Sequence, residues 1–531
     1  MTETSHSVEM SFSDFIMKKI ENNSKKVAIV FNNNKIKYKR LERDINKFAN
    51  ALTTLNLNKG IIALCLLNTP HFVVSYLGAL RAGAKVCVID PTVTAYEFSS
   101  VLNEVSPEAL VLQNTLLRNF GEIETQNCKK IILADVNEYS AIYSRKLKLC
   151  NYEANLPEEI EVLKYGKILK KESSEFAAPS IDLNDDAVII YQSDTSDKVK
   201  GVVFSHYNLK CQIESLKVIF KDLLEEKAVI TVFLPLSNIF SKLITLTCLW
   251  YGGTLILIPF LDYPQILYLT EKHNANIFYG TPLNYREMTL MYREFVKCVD
   301  WRRMKAIFSI GPYLNRKIAY IWKSITNTNL STIYGIIEAG ITHVKVGNGK
   351  KMEHRACGIP VPNLEAKILD HSTLKFLPPG KEGELVISGP QIMRGYWPSS
   401  ERKDNFVLIE GKKWLKTGVM GYMDNEDCFY YLCRIEDLIR NGEVEIIPSE
   451  IEDVINEHPL IIESVVTKED RGIVAYAVPL SKDITEKELL MFLQPKLPKS
   501  KLPEIIEFRT ELPKNEIGEI LRKEIKEMEV L

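Results

Sequence analysis

The chain carries almost no net charge: 67 Lys and Arg stand against 68 Asp and Glu, a formal −1. Nothing global therefore recommends nucleic acid or an anionic membrane as a partner. Paired cysteine motifs are missing as well. The 10 cysteines are scattered singly, with no Cys-x-x-Cys, which argues against a structural zinc site and for reduced thiols. The N-terminal MTETSHSVEMSFSDF has no basic stretch followed by an apolar run, so it does not read as a secretory leader. The terminal Glu529-Val530-Leu531 lacks the Ser-Lys-Leu address of peroxisomal proteins. The expected compartment is therefore the cytoplasm. Uncharged stretches are short, except for 19 residues from Leu243 to Leu261. Gly252-Gly253 divides that stretch, so it predicts a helix, a glycine turn and a buried parallel strand rather than a transmembrane span.

What is present is an ordinary globular composition, 46% hydrophobic and 25% charged, over 531 residues. That length predicts two or more domains. Through the first two-thirds, short apolar runs alternate with helix-like segments: IIALCLL, AKVCVID, ALVLQ, KKIILAD, AVIIY, AVITVFLP, GTLILIP, ANIFYG and MKAIFSI. Near-continuous apolar strands of this kind predict buried parallel strands in βαβ units. From about Ala356 the segments LEAKILD, GELVISG and FYYLCR are turn-punctuated, as in a small barrel or a distorted antiparallel sheet. The reading is an α/β chain. Residues 1–434 form a large region, with sheet subdomains to about 355 and a barrel-like part over 356–434. Residues 435–531 form a small α+β domain. The C-terminal EILRKEIKEMEV reads as a solvated surface helix.

Four segments carry chemistry. Tyr191-Gln192-Ser193-Asp194-Thr195-Ser196-Asp197-Lys198-Val199-Lys200-Gly201 lies between a strand and a helix that starts at His206. Hydroxyls, a lysine and glycine in such a turn suit a phosphate, whose oxygens need close backbone N–H groups and a mobile positive charge. Tyr334-Gly335-Ile336-Ile337-Glu338 sets a carboxylate, a ligand for a hard cation, four residues after an aromatic ring. Trp414-Leu415-Lys416-Thr417-Gly418-Val419 precedes a turn, Gly421 to Asp427, and then Cys433-Arg434. Leu512-Pro513-Lys514-Asn515-Glu516-Ile517-Gly518-Glu519-Ile520-Leu521-Arg522 lies near the end.

In order and spacing these segments resemble the superfamily of acyl-CoA synthetases, peptide-synthetase adenylation domains and luciferases. Further echoes run between them: Phe233 to Asn238, Ser309 to Leu314, Gly358-Ile359-Pro360, Gly383-Glu384-Leu385, Gly389-Pro390, Gly395-Tyr396, Asn441-Gly442 and Pro448 to Glu452. The resemblance implies ATP, Mg²⁺ and CoA as cofactors and co-substrates, and a small carboxylic acid or acyl ligand as partner. It places Ser193, Thr195, Ser196, Lys200 and Gly201 on the phosphates, with Thr195 and Glu338 on magnesium. It also implies that the Tyr334 ring lies against adenine, that Gly335 belongs to the same cofactor-binding segment, and that Arg434 contacts the nucleotide ahead of a hinge at Ile435-Glu436-Asp437. Asn238 stands where a histidine often lines the acyl pocket.

Departures from the pattern are concentrated at the nucleotide. Asp194 and Asp197 replace glycines, Val199 replaces a proline, Ile337 a threonine, and Val419 the aspartate that holds the ribose. Cys433 stands where an aspartate is usual, and Glu519 stands where the family has its catalytic lysine. Counted residue by residue, the site is about three units more negative than in an active relative. The principal expectation is therefore a catalytically degenerate member that keeps an acyl- or ligand-binding role. The alternatives are an active ATP-dependent ligase for fatty or aromatic acids, and a luciferase-like oxidative activity.

Overall fold

The computed structural model describes residues 10–120, 128–141, 160–192, 200–225, 227–311, 316–345, 355–398, 405–441, 444–480, 484–514 and 520–527. Each apolar run named above forms a strand, and the reason is burial on both faces. Ile62, Ala63, Leu64 and Cys65 are all fully buried in the strand Ile61–Cys65. That strand pairs in parallel with Lys85–Ile89 and Ala109–Gln113. Lys130–Ala134 and Asp186–Gln192 extend the parallel set on either side. Each aliphatic side chain taken out of water this way contributes roughly 1.5–3 kcal/mol.

A second sheet has its own parallel centre, through Thr254–Leu257, Val229–Val232, Ile277–Gly280, Ala306–Ile310 and Ser331–Ile336. Beyond Ser331–Ile336 every pairing is antiparallel: Gly340–Lys345, Ala356–Pro360, Phe429–Arg434, Lys412–Met423, Gly383–Ser388 and Glu365–Leu369 follow in order. The turn-punctuated region is thus a continuation of the parallel sheet. One hairpin of this sheet went unread in the sequence, Val27–Phe31 with Asn34–Lys37. Its turn residues Asn32 and Asn33 both have positive φ, 42° and 61°, the conformation that a tight hairpin turn needs and that asparagine tolerates.

The uncharged stretch resolves as expected into the helix Ile239–Trp250, a turn at Gly252-Gly253 and the strand Thr254–Leu257. Among the described residues no helix is long and apolar enough to cross a membrane. Among the described residues no disulfide joins the cysteines, which are all buried except Cys298.

The C-terminal part builds a sheet from Ile461–Glu469, Gly472–Pro479 and Ile505–Phe508. It is tied to the larger part by side chains. Arg286 meets Glu463 at 3.2 Å, Lys317 donates to the carbonyls of His458 and Ile461, and Arg355 binds Asp453 and Ser449. The expected solvated helix at the end is not found: Arg522–Glu527 is a 3₁₀ turn. Ile525 is buried there, and the Arg522 guanidinium reaches inward to Glu452 at 2.6 Å and Asp437 at 3.2 Å. A buried ion pair of this kind is retained only with its partners in place, which charge alternation along a sequence cannot show.

Candidate functional site

Lys200 and Gly201 open the strand Lys200–Ser205, which runs between Asp186–Gln192 and the short strand Gly395–Trp397. A Cβ on Gly201 would come within 2.7 Å of the Tyr191 ring, so glycine here serves close packing of strand against ring. The helix His206–Leu224 follows directly, because Ser205 and Asn208 form a capping box that satisfies its first N–H groups. Ser193, Thr195 and Ser196, together with Asp194 and Asp197, lie outside the described residues. So does Glu519.

Glu338 sits in the turn that joins Ser331–Ile336 to Gly340–Lys345. Its carboxylate accepts a 2.8 Å hydrogen bond from the Tyr396 hydroxyl, and its carbonyl accepts one from the Met393 N–H at 2.7 Å. The Lys200 ammonium lies 5.9 Å from the centroid of that same Tyr396 ring. Lys200 and Glu338, far apart in sequence, therefore meet around one tyrosine. Sequence reasoning had used Gly395-Tyr396 only as a mark of the fold. The available signal was an aromatic hydroxyl immediately after a glycine in a short strand. Gly335 is required by its surroundings: a Cβ would stand 2.0 Å from the Gly340 carbonyl oxygen and 2.8 Å from the Phe240 ring. Ile337 packs against the core where the family has a hydroxyl.

The other side of the site is apolar and aromatic. Tyr334 is 2% exposed, and its ring centroid lies 5.7 Å from Phe429, 5.9 Å from His343 and 6.2 Å from Tyr431. His343 is fully buried; its Nδ1 pairs with the Thr342 hydroxyl at 2.9 Å and its Nε2 has no partner. Burial pushes this imidazole down to about 3, so it is neutral. Val419 is 3% exposed and directly opposite Arg434 in the strand pair, beside the buried Cys433. Asn238 is buried at the start of a helix. Its side-chain oxygen caps the helix Ile239–Trp250, accepting from the N–H groups of Phe240 at 3.0 Å and Ser241 at 3.4 Å.

The two halves fit a magnesium nucleotide unequally. Glu338, with one oxygen anchored by Tyr396, and the nearby Lys200 are suited to a hard cation and to phosphate oxygens. Val419 offers a ribose no acceptor, and an unpaired buried hydroxyl costs about 1–3 kcal/mol. Among the described residues no group of three or more His, Cys, Asp or Glu side chains could hold a metal, so a cation here would rest on the carboxylate and on substrate oxygens.

The profile of the AMP-binding enzyme family matches residues 16–397, and that of the AMP-binding enzyme C-terminal domain matches residues 450–519. The chain belongs to the AMP-binding enzyme family. It is 29% identical over 523 residues to a long-chain-fatty-acid–CoA ligase of Bacillus subtilis (strain 168), covering 95% of this chain and 92% of that one. It is 26% identical over 479 residues to 4-coumarate–CoA ligase-like 6 of Arabidopsis thaliana, covering 88% of this chain and 81% of that one. The same fold occurs in the anthranilate CoA ligase AuaEII in complex with anthranoyl-AMP, with TM-score 0.83, 20% identity, and 98% and 97% of the two chains covered. It occurs also in ATP-bound MatB from Rhodopseudomonas palustris, with TM-score 0.82, 22% identity, and 98% and 99% covered.

Proposed function

We propose that this AMP-binding family member is an ATP-dependent acyl-CoA ligase for fatty or aromatic carboxylic acids. In this reading the carboxylate attacks the α-phosphorus of ATP, pyrophosphate leaves, and the CoA thiolate then displaces AMP to give the thioester. The observation that carries it is the meeting of Lys200 and Glu338 around Tyr396, which keeps the charged, phosphate-handling half of the site built. Similarity along nearly the full length to a fatty-acid–CoA ligase supports the same reading. Glu338 would hold magnesium, while Phe240, packed against Gly335, would form part of an acyl wall. Residues 1–434 and 435–531 would be the parts that move about Ile435–Asp437.

A second reading, a member that binds an acyl ligand without adenylating it, is favoured by one observation: Val419 is buried opposite Arg434 in the place of the ribose acceptor. Titration of the purified chain with MgATP in a calorimeter, followed by assays of AMP release and thioester formation with fatty and aromatic acids, separates the two. Micromolar MgATP binding with thioester product supports the ligase. A folded protein that gives no heat and no AMP with any acid leaves the binding protein.

A further inference from the structure

Where the C-terminal part meets the larger part, one carboxylate holds two cations. Glu463, in the strand Ile461–Glu469, lies 3.2 Å from the Arg286 guanidinium and 2.8 Å from the Lys514 ammonium, both through the same oxygen, Oε1. The three side chains are 14%, 16% and 9% exposed, so salt and water screen them less than they screen a surface pair. Arg286 belongs to the helix Pro282–Leu290, which is well seated. Its neighbour Tyr285 is fully buried and packs edge-on against Trp322 of the helix Arg316–Thr326, with centroids 4.9 Å apart. That second helix adds Lys317, whose ammonium donates to the carbonyls of His458 and Ile461 at the start of the same strand.

Lys514 has a second role through its backbone. It forms an antiparallel bridge with Ile520, and the Leu521 N–H donates to the Pro513 carbonyl at 2.8 Å. These bonds bring together the chain on either side of 515–519, the interval that in sequence contains Glu519. Beyond it Arg522 is fixed by Glu452, Asp437 and the Val466 carbonyl. Glu463 thus links a packed helix of the larger part, through Lys514, to the base of the C-terminal segment. Contacts between two parts of one chain are usually small and polar, and relative motion is their default. A charge shared across such a contact selects one arrangement. Without Glu463, Arg286 and Lys514 would lose their common partner at low exposure, which is unfavourable.

We propose that Glu463 is a positioning residue: with Arg286 and Lys514 it forms an electrostatic latch that holds the base of the C-terminal segment against the helix Pro282–Leu290. Its consequence for turnover rests on the ligase reading; the latch itself does not. The test compares the full chain with Arg286→Gln, Arg286→Lys, Glu463→Gln and the Arg286→Gln/Glu463→Gln double variant, by amide hydrogen exchange and by turnover. In Arg286→Gln the amides of Ile461–Glu469 and those beside Lys514 and Ile520 should exchange about fivefold faster, the scale of one ion pair. Arg286→Lys should restore most of the protection, and the double variant should be no worse than Glu463→Gln alone. In a ligase, kcat for thioester formation should fall several-fold in Arg286→Gln with the calorimetric Kd for MgATP unchanged. Exchange unaltered in Arg286→Gln would overturn the latch, as would Arg286→Lys behaving like Arg286→Gln or strictly additive single effects. Faster exchange with an unchanged kcat would overturn the positioning role. Faster exchange in a chain that makes no thioester from any acid would leave the latch standing and remove the ligase reading. If Glu463→Gln does not melt cooperatively, Arg286→Gln against Arg286→Lys decides alone, because Lys514 keeps its partner in both.

Discussion

Two corners of the candidate nucleotide site differ in what their side chains offer a ligand. At the Glu338 corner the carboxylate is anchored by Tyr396 and has Lys200 nearby, so the residues that face phosphate and cation remain polar. At the Val419 corner the side chain is aliphatic and buried, directly opposite Arg434 and beside Cys433. The difference teaches that two parts of one candidate site can rest on different forces, hydrogen bonding in one and apolar burial in the other. A substitution is accepted where an apolar side chain can join an existing core, as Val419 does. It is resisted where a charge is already held by a partner whose loss would leave a polar group unpaired.

That contrast can be broken experimentally. The largest effect is expected from Glu338→Gln, which should lower AMP formation by about 10²-fold or more if this corner handles the developing charge. Unchanged turnover would mean the carboxylate is structural. Val419→Asp should strengthen MgATP binding by about 1–3 kcal/mol if the missing ribose acceptor is what limits affinity. A calorimetric Kd that does not improve, in a variant that still melts cooperatively, would place the limit elsewhere.

The aromatic side gives a pH signature. The imidazole of His343 has a folded value near 3 against 6.5 for the free side chain, so between those values the unfolded chain binds more protons. Stability should therefore fall as pH drops below about 6.5, by roughly 2 kcal/mol at about pH 5 from this group. His343→Phe should flatten that part of the dependence in denaturant melts, leaving the contribution of His206, which burial pushes down to about 4. A slope identical to wild type would remove His343 from the account. The smallest effect is expected from Tyr396→Phe. Loss of one hydrogen bond to a carboxylate should cost about tenfold in AMP formation with little change in stability. A variant as inactive as Glu338→Gln would show the tyrosine to be more than an anchor.

The parallel strands were legible because burial on both faces forces the same apolar residues into consecutive positions, as in Ile61–Cys65 and Asp186–Gln192. The break at Gly252-Gly253 was legible for a similar reason, since the turn's requirement falls on the residues of the turn itself. The hairpin at Asn32-Asn33 was missed because its strands are short and only one of them is mostly buried. Within the site, Lys200, Gly335 and Glu338 could be picked out by residue type and spacing. Asn238 could be located but not understood: whether an asparagine lines a pocket or caps a helix depends on the backbone that follows it.

The sequence by itself determined which segments would be buried and which chemical groups were at hand, because hydrophobic periodicity and residue identity are local properties of a chain. Tertiary structure alone decided that Tyr396 would join Lys200 to Glu338, and that Arg522 would turn inward to Asp437 and Glu452. Each of these depends on segments remote in sequence coming within a few ångströms. That approach is fixed by how sheets and helices pack, and is not written in any one stretch of residues.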